Sequence, residues 1–316
     1  MLIGITLDVT DVQQDRLRAI CGTTPTLIDL RRGAYATDPR AADVEIVYGA
    51  VKVDAVKFLP RLHWLHSAWT GVDGLLHEAL RTRNVIVTNT RGVNAYAMAE
   101  HVLAAIFYLA RDFSVYEEAN PHGVWRPTIN PVRVAGSCAL LLGTGALAAL
   151  VAARLRLLDV RVRGFNSSGH PVPFCEAVYT RANVEPYLSV VDWLVVLLPG
   201  TPLTANLVDA AFLAALKPGV GVVNVGRGVV IDHPALLAAI DRGHVRGAVL
   251  DVTHPEPLPA DSPLFSHPRV LVASHQSWIP SGGVQDGFDI FLENLRHYLT
   301  GRHDNMRNRV SFDHGY

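Results

Sequence analysis

The second half of the chain contains three side chains that could together bind an anion and transfer a proton. Each of them follows a short apolar run. Arg227 lies in "VVNVGRGVVID", Glu256 in "LDVTHPEPLP" and His275 in "RVLVASHQSW". A guanidinium offers a fixed fork of donors to carboxylate or carbonyl oxygens, and an imidazole can give or take a proton near neutral pH. Each residue alone has an ordinary alternative, namely a solvated arginine, an exposed glutamate or a structural histidine. Their shared position after apolar runs favours a common site for anion binding and proton transfer.

A glycine-rich turn precedes this group. The stretch "ALLLGTGALAAL", residues 139–150, contains Gly143 and Gly145, with Ala148 where a G-x-G-x-x-G pattern has its third glycine. In a strand–turn–helix unit the first glycine allows the bend, the second lets the backbone approach a pyrophosphate, and the helix N-terminus attracts negative charge. One alternative is a tight turn without a ligand. Another is a membrane span, because residues 134–153 carry no charge, but the interrupting glycines and the missing aromatic and basic flanks argue against it.

The loop after the next predicted strand bears on the choice of cofactor. An NAD site usually has an acidic residue about 20 positions after the glycine turn, where it binds the ribose hydroxyls. Here the strand ends in "GFNSSGH", with Asn166, Ser167 and Ser168 and no acid. The absence of an acid permits the 2′-phosphate of NADP, while no arginine in the turn is present to bind it. The sequence therefore favours NADP only slightly over NAD, and a merely polar loop with NAD bound remains the alternative.

Apolar runs alternate with helical segments from about residue 100 to 275, which indicates βαβ units and a parallel sheet. Ligands of such sheets bind beyond the carboxyl ends of the strands, where the three reactive side chains and the glycine turn would meet. Five apolar runs in the first hundred residues indicate a second, smaller α/β domain. A long helix over 97–113 would join the two domains, and the periodic stretch 284–301 would pack back on the first. The polar tail, 302–316, is predicted to be an arm or a disordered segment.

We therefore predict an α/β protein of two Rossmann-like or flavodoxin-like domains, each with a doubly wound parallel sheet, and a cleft between them. The substrate domain would be discontinuous, comprising 1–98 and 283–316, and the dinucleotide-binding domain would comprise 99–282.

Composition narrows the class of protein. The 316 residues have a formal net charge of −1 and are 49% hydrophobic. Nucleic-acid and membrane-surface proteins usually carry a basic excess, so neither partner is expected. The cysteines, Cys21, Cys138 and Cys175, are scattered, and the histidines lack ligand spacing, so no metal site is predicted. The N-terminus lacks the features of a signal peptide, and we expect a cytoplasmic protein.

Taken together, these segments resemble the D-isomer-specific 2-hydroxyacid dehydrogenase family over almost the whole chain. The resemblance is carried by "HSAWTGVDGLL", "VTNTRGVNAYAMAEHVLAAIFYLAR", "LLLGTGALA", "VVLLPGTPLTANLVDAAFLAALKPGVGVVNVGRGVVID", "GAVLDVTHPEPLP" and "RVLVASH". It implies NAD(P)-dependent reduction of a 2-ketoacid to a D-2-hydroxyacid, or the reverse, by a homodimer.

The resemblance also implies roles for individual residues. Arg227 would bind and polarise the substrate, His275 would exchange the proton, and Glu256 would orient the imidazole. Backbone amides of the loop Trp69, Thr70, Gly71 and Val72 would bind the substrate carboxylate. The implied cofactor contacts, besides the glycines and the loop after the second strand, are Ala146, Leu147, Leu198, Pro199, Val225, Gly226, Arg227, Asp251 and His275.

The sequence departs from the family pattern at the missing acid, at Ala148, at Ser274 in place of a proline, and at Gln276 and Trp278 after the histidine. These departures bear on specificity, and the identity of the ketoacid stays open. Trp69, Tyr96 and Trp278 could line the substrate pocket or could be core or interface aromatics.

Two alternatives to a ketoacid reductase share this scaffold. One is a dinucleotide-sensing regulatory protein without catalysis, which the intact Arg–Glu–His set disfavours. The other is an enzyme acting on formate or phosphite; formate enzymes of this fold usually pair the histidine with glutamine, so Glu256 disfavours this alternative.

Overall fold

The computed structural model describes residues 1–72, 74–126, 129–279 and 286–312. Its contacts divide the chain into two compact units. The first unit combines residues 1–93 with the C-terminal residues from 286, and the second comprises residues 94–279. The borders predicted from sequence, 98/99 and 282/283, stay a prediction, and the second of them lies outside the described residues.

The first unit is built on a five-stranded sheet in which every pair of strands is parallel. The order across the sheet is β2-β1-β3-β4-β5, so the chain moves outward on both sides of β1. The strands are β1 (Leu2–Ile5), β2 (Thr26–Asp29), β3 (Ile46–Tyr48), β4 (Trp64–His66) and β5 (Ile86–Thr88). All five fall within the apolar runs predicted to be strands. The connections contain α1 (Asp11–Cys21), α2 (Glu78–Arg81) and 3-10 turns at Arg31–Ala36, Pro39–Asp43 and Val53–Phe58.

A helix from the far end of the chain completes the core of the first unit. The predicted periodic stretch forms α9 (Asp286–Leu299), whose residues Phe288, Phe291 and Leu295 are buried against Ile3 and Trp64 of the sheet. The helix packs beside α1, which begins at a capping box between Thr10 and Gln13 that satisfies two otherwise unpaired backbone N–H groups. The N-terminal unit is therefore discontinuous in sequence.

Of the two alternatives predicted for the tail, disorder is wrong for residues 302–312. A 3-10 turn at His303–Asn305 leads into a segment that lies along the edge strand β5, with Val310 N–H donating to the Val87 carbonyl at 2.9 Å. Met306 is buried, and Asn294 binds both the N–H and the carbonyl of Arg307. Backbone pairing with β5 holds a segment whose polar composition gave no sign of it.

The second unit contains a seven-stranded, all-parallel sheet in the order β12-β11-β10-β9-β6-β7-β8. Its strands are β6 (Cys138–Leu142), β7 (Arg161–Phe165), β8 (Val178–Tyr179), β9 (Trp193–Val196), β10 (Val220–Asn224), β11 (Val245–Leu250) and β12 (Val270–Val272). Six of these were predicted, and the two-residue β8 was missed because it is too short to show a pattern. The predicted α/β class, with a parallel sheet in each unit, is thus confirmed.

Helices cover both faces of this sheet. They are α3 (Ala95–Ala110), α4 (Ser114–Ala119), α5 (Ala146–Leu157), α6 (Ala210–Ala215), α7 (His233–Asp241) and α8 (Pro263–Ser266), with 3-10 turns at Asn120–His122, Glu185–Val190 and Gly228–Val230. Successive residues of β6 face opposite sides: Leu140 and Leu142 join one apolar cluster, and Ala139 and Leu141 join the other. Burial on both faces explains why the strands read as continuous apolar runs.

The uncharged stretch 134–153 is divided between a buried strand, a glycine turn and the start of α5. No helix in the described ranges has the length and apolar character to cross a membrane.

The chain order reverses between β6 and β9, because β7 and β8 extend the sheet on one side of β6 before the chain returns to place β9 on the other. In open parallel sheets a crevice for ligands opens at such a reversal, outside the carboxyl ends of the two strands. The turn after β6 and the segment after β9 lie at this position.

Candidate active site

The turn after β6 has the backbone features of a pyrophosphate cradle. Gly143 adopts a φ of +110°, and a Cβ there would lie 3.3 Å from the Leu197 backbone after β9, so this position needs glycine. A Cβ on Gly145 would have no atom within 4 Å. Gly145 begins α5 without a side-chain cap, and the N–H groups of Ala146 and Leu147 donate to no acceptor within the described residues. Unpaired N–H groups at an open helix N-terminus suit a bound phosphate.

Ala148, in place of the third glycine, is 1% exposed and belongs to the apolar cluster beneath β6. Its methyl group is accommodated between helix and sheet, which is the packing role of the third glycine in this motif. The departure at this position is therefore structurally mild.

The loop after β7 is shaped by Asn166. Its Oδ1 accepts from the N–H groups of Ser168 (3.1 Å) and Gly169 (2.6 Å), and its Nδ2 donates to Thr144 Oγ1 (3.0 Å) and to the His170 carbonyl (3.3 Å). The amide thus ties the loop to Thr144, between the two glycines of the turn. Ser167, Ser168 and His170 are exposed and carry the polar groups that the loop presents outward.

The segments after β9 and β10 lie against each other. A Cβ on Gly226 would fall 2.6 Å from the Leu198 carbonyl oxygen, so only glycine permits this approach. Pro199 is held by Thr204, whose hydroxyl donates to the Pro199 carbonyl at 2.7 Å. Leu198 and Val225 are buried. The residues predicted to run along the cofactor therefore form one packed edge beside the glycine turn.

Arg227 follows β10 and is fixed through its backbone by Asn224. The Asn224 side chain is fully buried; its Oδ1 accepts from the Gly226 N–H at 3.0 Å, and its Nδ2 donates to the Arg227 carbonyl at 3.1 Å. The arginine Nη1 donates to the Gly226 carbonyl at 2.8 Å, and a Cβ on Gly200 would lie 3.3 Å from the Arg227 side-chain stem. Asn224 was not among the predicted site residues. Its signal in the sequence is an asparagine at the end of a buried strand, two positions before a G-R-G turn.

Glu256 and His275 form a hydrogen-bonded pair. His275 Nδ1 lies 2.9 Å from Glu256 Oε2, and Glu256 Oε1 accepts from the Thr253 N–H at 2.9 Å. The His275 side chain is 46% exposed and the Glu256 side chain is 38% exposed. The carboxylate therefore has one oxygen fixed to the backbone and one directed at the imidazole, which leaves the imidazole Nε2 on the side away from Glu256.

Ser274 and His275 both have left-handed backbones, with φ of 52° and 56°. This conformation is uncommon for residues with a Cβ and costs about 1–3 kcal/mol each, so the surroundings must hold it. Asp251, the first residue after β11, makes several hydrogen bonds to this turn, and the Trp278 indole Nε1 donates to the His275 carbonyl at 2.9 Å. Trp278 thus has a structural contact with the turn that carries His275.

The proposed carboxylate-binding loop belongs to the first unit and follows β4. Trp69, 44% exposed, exchanges hydrogen bonds with the Ser67 hydroxyl through its N–H and carbonyl, and Asn89 Nδ2 donates to the Thr70 carbonyl at 2.8 Å. In the described part of the chain, the N–H groups of Thr70, Gly71 and Val72 donate to no acceptor. Three successive amides without an acceptor among the described residues provide donors for an anion.

The structure brings most of the predicted site residues of the second unit to one sheet edge. Arg227, Glu256 and His275 follow β10, β11 and β12, which are adjacent and parallel. Tyr96 is exposed on α3, 5.2 Å from the Arg154 guanidinium. Among the described residues, no group of three or more His, Cys, Asp or Glu side chains could hold a metal ion.

Comparisons with known proteins agree with this arrangement. A sequence model described as "D-isomer specific 2-hydroxyacid dehydrogenase, NAD binding domain" matches residues 103–277, more than half of the chain. The chain belongs to the D-isomer specific 2-hydroxyacid dehydrogenase family. The matched range runs from within α3 to two residues beyond His275, so the family's NAD-binding domain corresponds to the second unit of the fold.

Relatives of this family member include enzymes with different substrates. D-3-phosphoglycerate dehydrogenase of Mycobacterium leprae is 33% identical over 265 residues, covering 82% of this chain and 50% of the relative. Glyoxylate/hydroxypyruvate reductase A of Salmonella paratyphi B is 33% identical over 178 residues, covering 56% and 57% of the two chains. The chain thus spans about half the length of the curated relatives it matches.

Among solved structures, a D-isomer specific 2-hydroxyacid dehydrogenase from Xanthobacter autotrophicus Py2, in complex with NADPH and MES, aligns with a TM-score of 0.83 at 29% identity. The alignment covers 100% of this family member and 99% of that chain. A family protein from Aeromonas salmonicida aligns with a TM-score of 0.82 at 28% identity, over 99% of both chains.

Proposed function

We propose that this protein reduces a 2-ketoacid to a D-2-hydroxyacid with a nicotinamide dinucleotide, or catalyses the reverse reaction. His275 would donate the proton, Glu256 would orient and charge-stabilise the imidazole, and Arg227 would bind and polarise the substrate. The observation that carries the proposal is the 2.9 Å contact between His275 Nδ1 and Glu256 Oε2, on the same sheet edge as the glycine turn.

The residues around the turn after β6 fit a dinucleotide. The open space at Gly145 and the unpaired N–H groups of Ala146 and Leu147 suit the pyrophosphate. Gly143, Leu198, Pro199, Val225 and Gly226 would border the cofactor. When bound, a reduced nicotinamide supplies the hydride for the reaction.

The chain's own residues would perform the rest of the chemistry. The guanidinium of Arg227 would donate hydrogen bonds to the substrate carboxylate and keto oxygen, which makes the carbonyl carbon a better hydride acceptor. As the carbonyl π bond is lost, the proton on His275 Nε2 would pass to the developing alkoxide oxygen. The carboxylate of Glu256 favours the positively charged imidazolium before this transfer. In oxidation the same nitrogen would take the proton back.

Substrate binding is proposed to involve the loop after β4. The N–H groups of Thr70, Gly71 and Val72 would donate hydrogen bonds to the substrate carboxylate, and Trp69 and Trp278 are candidates for contacts with the rest of the ketoacid. The names of the relatives give their substrates as 3-phosphoglycerate in one case and glyoxylate or hydroxypyruvate in the other. Small polar 2-ketoacids are therefore the first compounds to try.

We propose NADP as the slightly favoured cofactor over NAD. Residues 166–170, directly after β7, offer the hydroxyls of Ser167 and Ser168 and no carboxylate, and an acid at this position would repel a 2′-phosphate. A cytoplasmic homodimer is the proposed working form, as the family resemblance implies.

The deciding experiment follows the reduced-nicotinamide absorbance band with NADPH and NADH in turn, against a panel of 2-ketoacids. Decay with at least one ketoacid, and its loss in His275→Ala with cofactor binding retained, would support the proposal. Cofactor binding without turnover across the panel would favour the dinucleotide-sensing alternative. Turnover of His275→Ala near the parent rate would contradict the proton-donor role.

A further inference from the structure

The turn that carries His275 is held by hydrogen bonds to a single buried aspartate. Asp251 is 2% exposed, and its backbone carbonyl accepts from the His275 N–H at 2.6 Å. Its Oδ1 accepts from the N–H groups of Gln276 (2.7 Å) and Ser277 (3.0 Å), and its Oδ2 accepts from the Ser277 hydroxyl at 2.5 Å. Four hydrogen bonds thus join one residue after β11 to three consecutive residues after β12.

We propose that Asp251 and Ser277 are positioning residues that set the backbone of His275 for proton transfer. This inference rests on the proposed function, because it concerns how the proposed proton donor is aimed. It assigns Ser277 a role that neither the family resemblance nor the motifs suggested. It also gives Asp251 a second role, which is to hold the His275 turn.

The acceptor capacity of Asp251 supports this role. A carboxylate offers about four acceptor positions, two on each oxygen. Among the described residues, Oδ1 receives two N–H groups and Oδ2 receives one hydroxyl, which leaves one acceptor position. The cofactor contact that the resemblance implies for Asp251 would therefore use Oδ2, beside Ser277.

The backbone conformation explains why such fastening matters. With φ of 52° and 56°, Ser274 and His275 occupy a region that residues with a Cβ adopt only when their surroundings enforce it. The direction of the Cα–Cβ bond follows from the backbone. If the turn relaxed, the His275 ring would move away from Glu256. Its Nε2 would then no longer point toward the substrate, although both side chains were still present.

Ser277 is the residue that allows a selective test. It is 4% exposed and supplies the only side-chain hydroxyl that contacts the Asp251 carboxylate within the described residues. Ser277→Ala removes one hydrogen bond while leaving the three backbone bonds, so the protein should still fold. Ser277→Thr retains a hydroxyl. Ser137→Ala is the matched control, since Ser137 is 8% exposed, accepts from Trp193 Nε1 at 2.8 Å and lies in the same unit at the start of β6, away from the site.

The experiment measures steady-state kinetics with the best ketoacid, NADPH affinity by fluorescence, and hydrogen exchange of the peptide covering residues 274–279. In Ser277→Ala we expect kcat to fall about tenfold, as for loss of one charge-assisted hydrogen bond. The KM for the ketoacid and the Kd for NADPH should change less than about twofold, because the substitution leaves Asp251 Oδ2 available as an acceptor for the cofactor. Exchange in the 274–279 peptide should accelerate. Ser277→Thr should recover most of the kcat, and Ser137→Ala should retain it.

A kcat unchanged in Ser277→Ala would overturn the inference, as would a weaker NADPH affinity with normal kcat, which would assign the pair to the cofactor. The exchange measurement separates this inference from the proposed function. If the parent protein reduces no ketoacid, the proposed function fails, yet faster exchange in Ser277→Ala alone would still support the fastening of the turn. Unchanged exchange would overturn it.

Discussion

His275 and Glu256 are separated by 18 intervening positions and follow different strands, yet His275 Nδ1 lies 2.9 Å from Glu256 Oε2. The parallel pairing of β11 with β12 brings the two strand ends side by side, and the second carboxylate oxygen of Glu256 is fixed to the Thr253 N–H. The imidazole thus contacts a carboxylate that already has a fixed orientation.

Glu256→Gln tests the charge on this partner. The amide can still contact Nδ1, but it no longer stabilises the imidazolium, and a hydrogen bond to a charged group is worth about 1.5–3 kcal/mol. We expect kcat to fall about 10- to 100-fold, with little change in the Kd for the dinucleotide. Asp241→Asn is the control, because Asp241 also contacts a histidine, His267, at 3.2 Å in the same unit. Equal loss in both variants would contradict a specific role for Glu256.

Arg227→Lys keeps the positive charge but removes the planar fork of donors. We expect the KM for the ketoacid to rise at least about tenfold, since a bidentate contact would become a single one. The Kd for the cofactor should change little. Arg242→Lys, at the end of α7 in the same unit, serves as the control. A normal KM with normal kcat in Arg227→Lys would exclude Arg227 from substrate binding.

Gly145→Val separates ligand binding from folding. No atom lies within 4 Å of a Cβ at this position, so the side chain should alter the free energy of unfolding by less than about 1 kcal/mol. The same side chain would occupy the space proposed for the pyrophosphate, and we expect the Kd for NADPH to rise more than about tenfold. Gly143→Ala is the contrasting variant, because its φ of +110° and the nearby Leu197 backbone predict destabilisation. Unchanged NADPH affinity in Gly145→Val would refute the cradle.

Most strands of both units could be predicted from sequence, because parallel strands buried on two faces give continuous apolar runs. Helices α3, α5, α6, α7 and α9 were also predicted, whereas α1 and α2 of the first unit were not. The placement of Arg227, Glu256 and His275 at one sheet edge followed from the same pattern. The contacts that fix them could not be predicted. Asn224 and Ser277 act through hydrogen bonds to backbone atoms, and a single sequence does not show which backbone groups a turn brings near. The packing of residues 302–312 against β5 was missed for the same reason, since backbone pairing leaves little trace in side-chain composition.

The buried His66 should make the folded first unit less stable at acidic pH. It is fully buried in β4, with Nδ1 2.7 Å from Thr88 Oγ1, and burial lowers its pKa from 6.5 to about 3. Between these two values the unfolded chain binds a proton that the folded chain does not. This residue therefore contributes its full stability above pH 6.5, and the contribution decreases as the pH falls toward 3, by up to about 1.4 kcal/mol per pH unit.

The measurement is denaturant unfolding at pH 7 and at several lower values. His66→Asn removes the titrating ring while keeping a polar atom near Thr88, and we expect lower stability at pH 7 but a shallower decline with acid. Parallel declines in the parent and the variant would show that another group governs the acid response.

The discontinuity of the first unit has a consequence for the order of events during synthesis. The sheet strands of this unit leave the ribosome first, but Ile3 and Trp64 stay without Phe288, Phe291 and Leu295 until α9 emerges. At about 5–20 residues per second, the roughly 200 residues between β5 and α9 correspond to a delay of about 10–40 s. The second unit, contiguous in sequence, can fold during that interval. The nascent chain therefore presents an apolar sheet face to chaperones well before the helix that covers it exists.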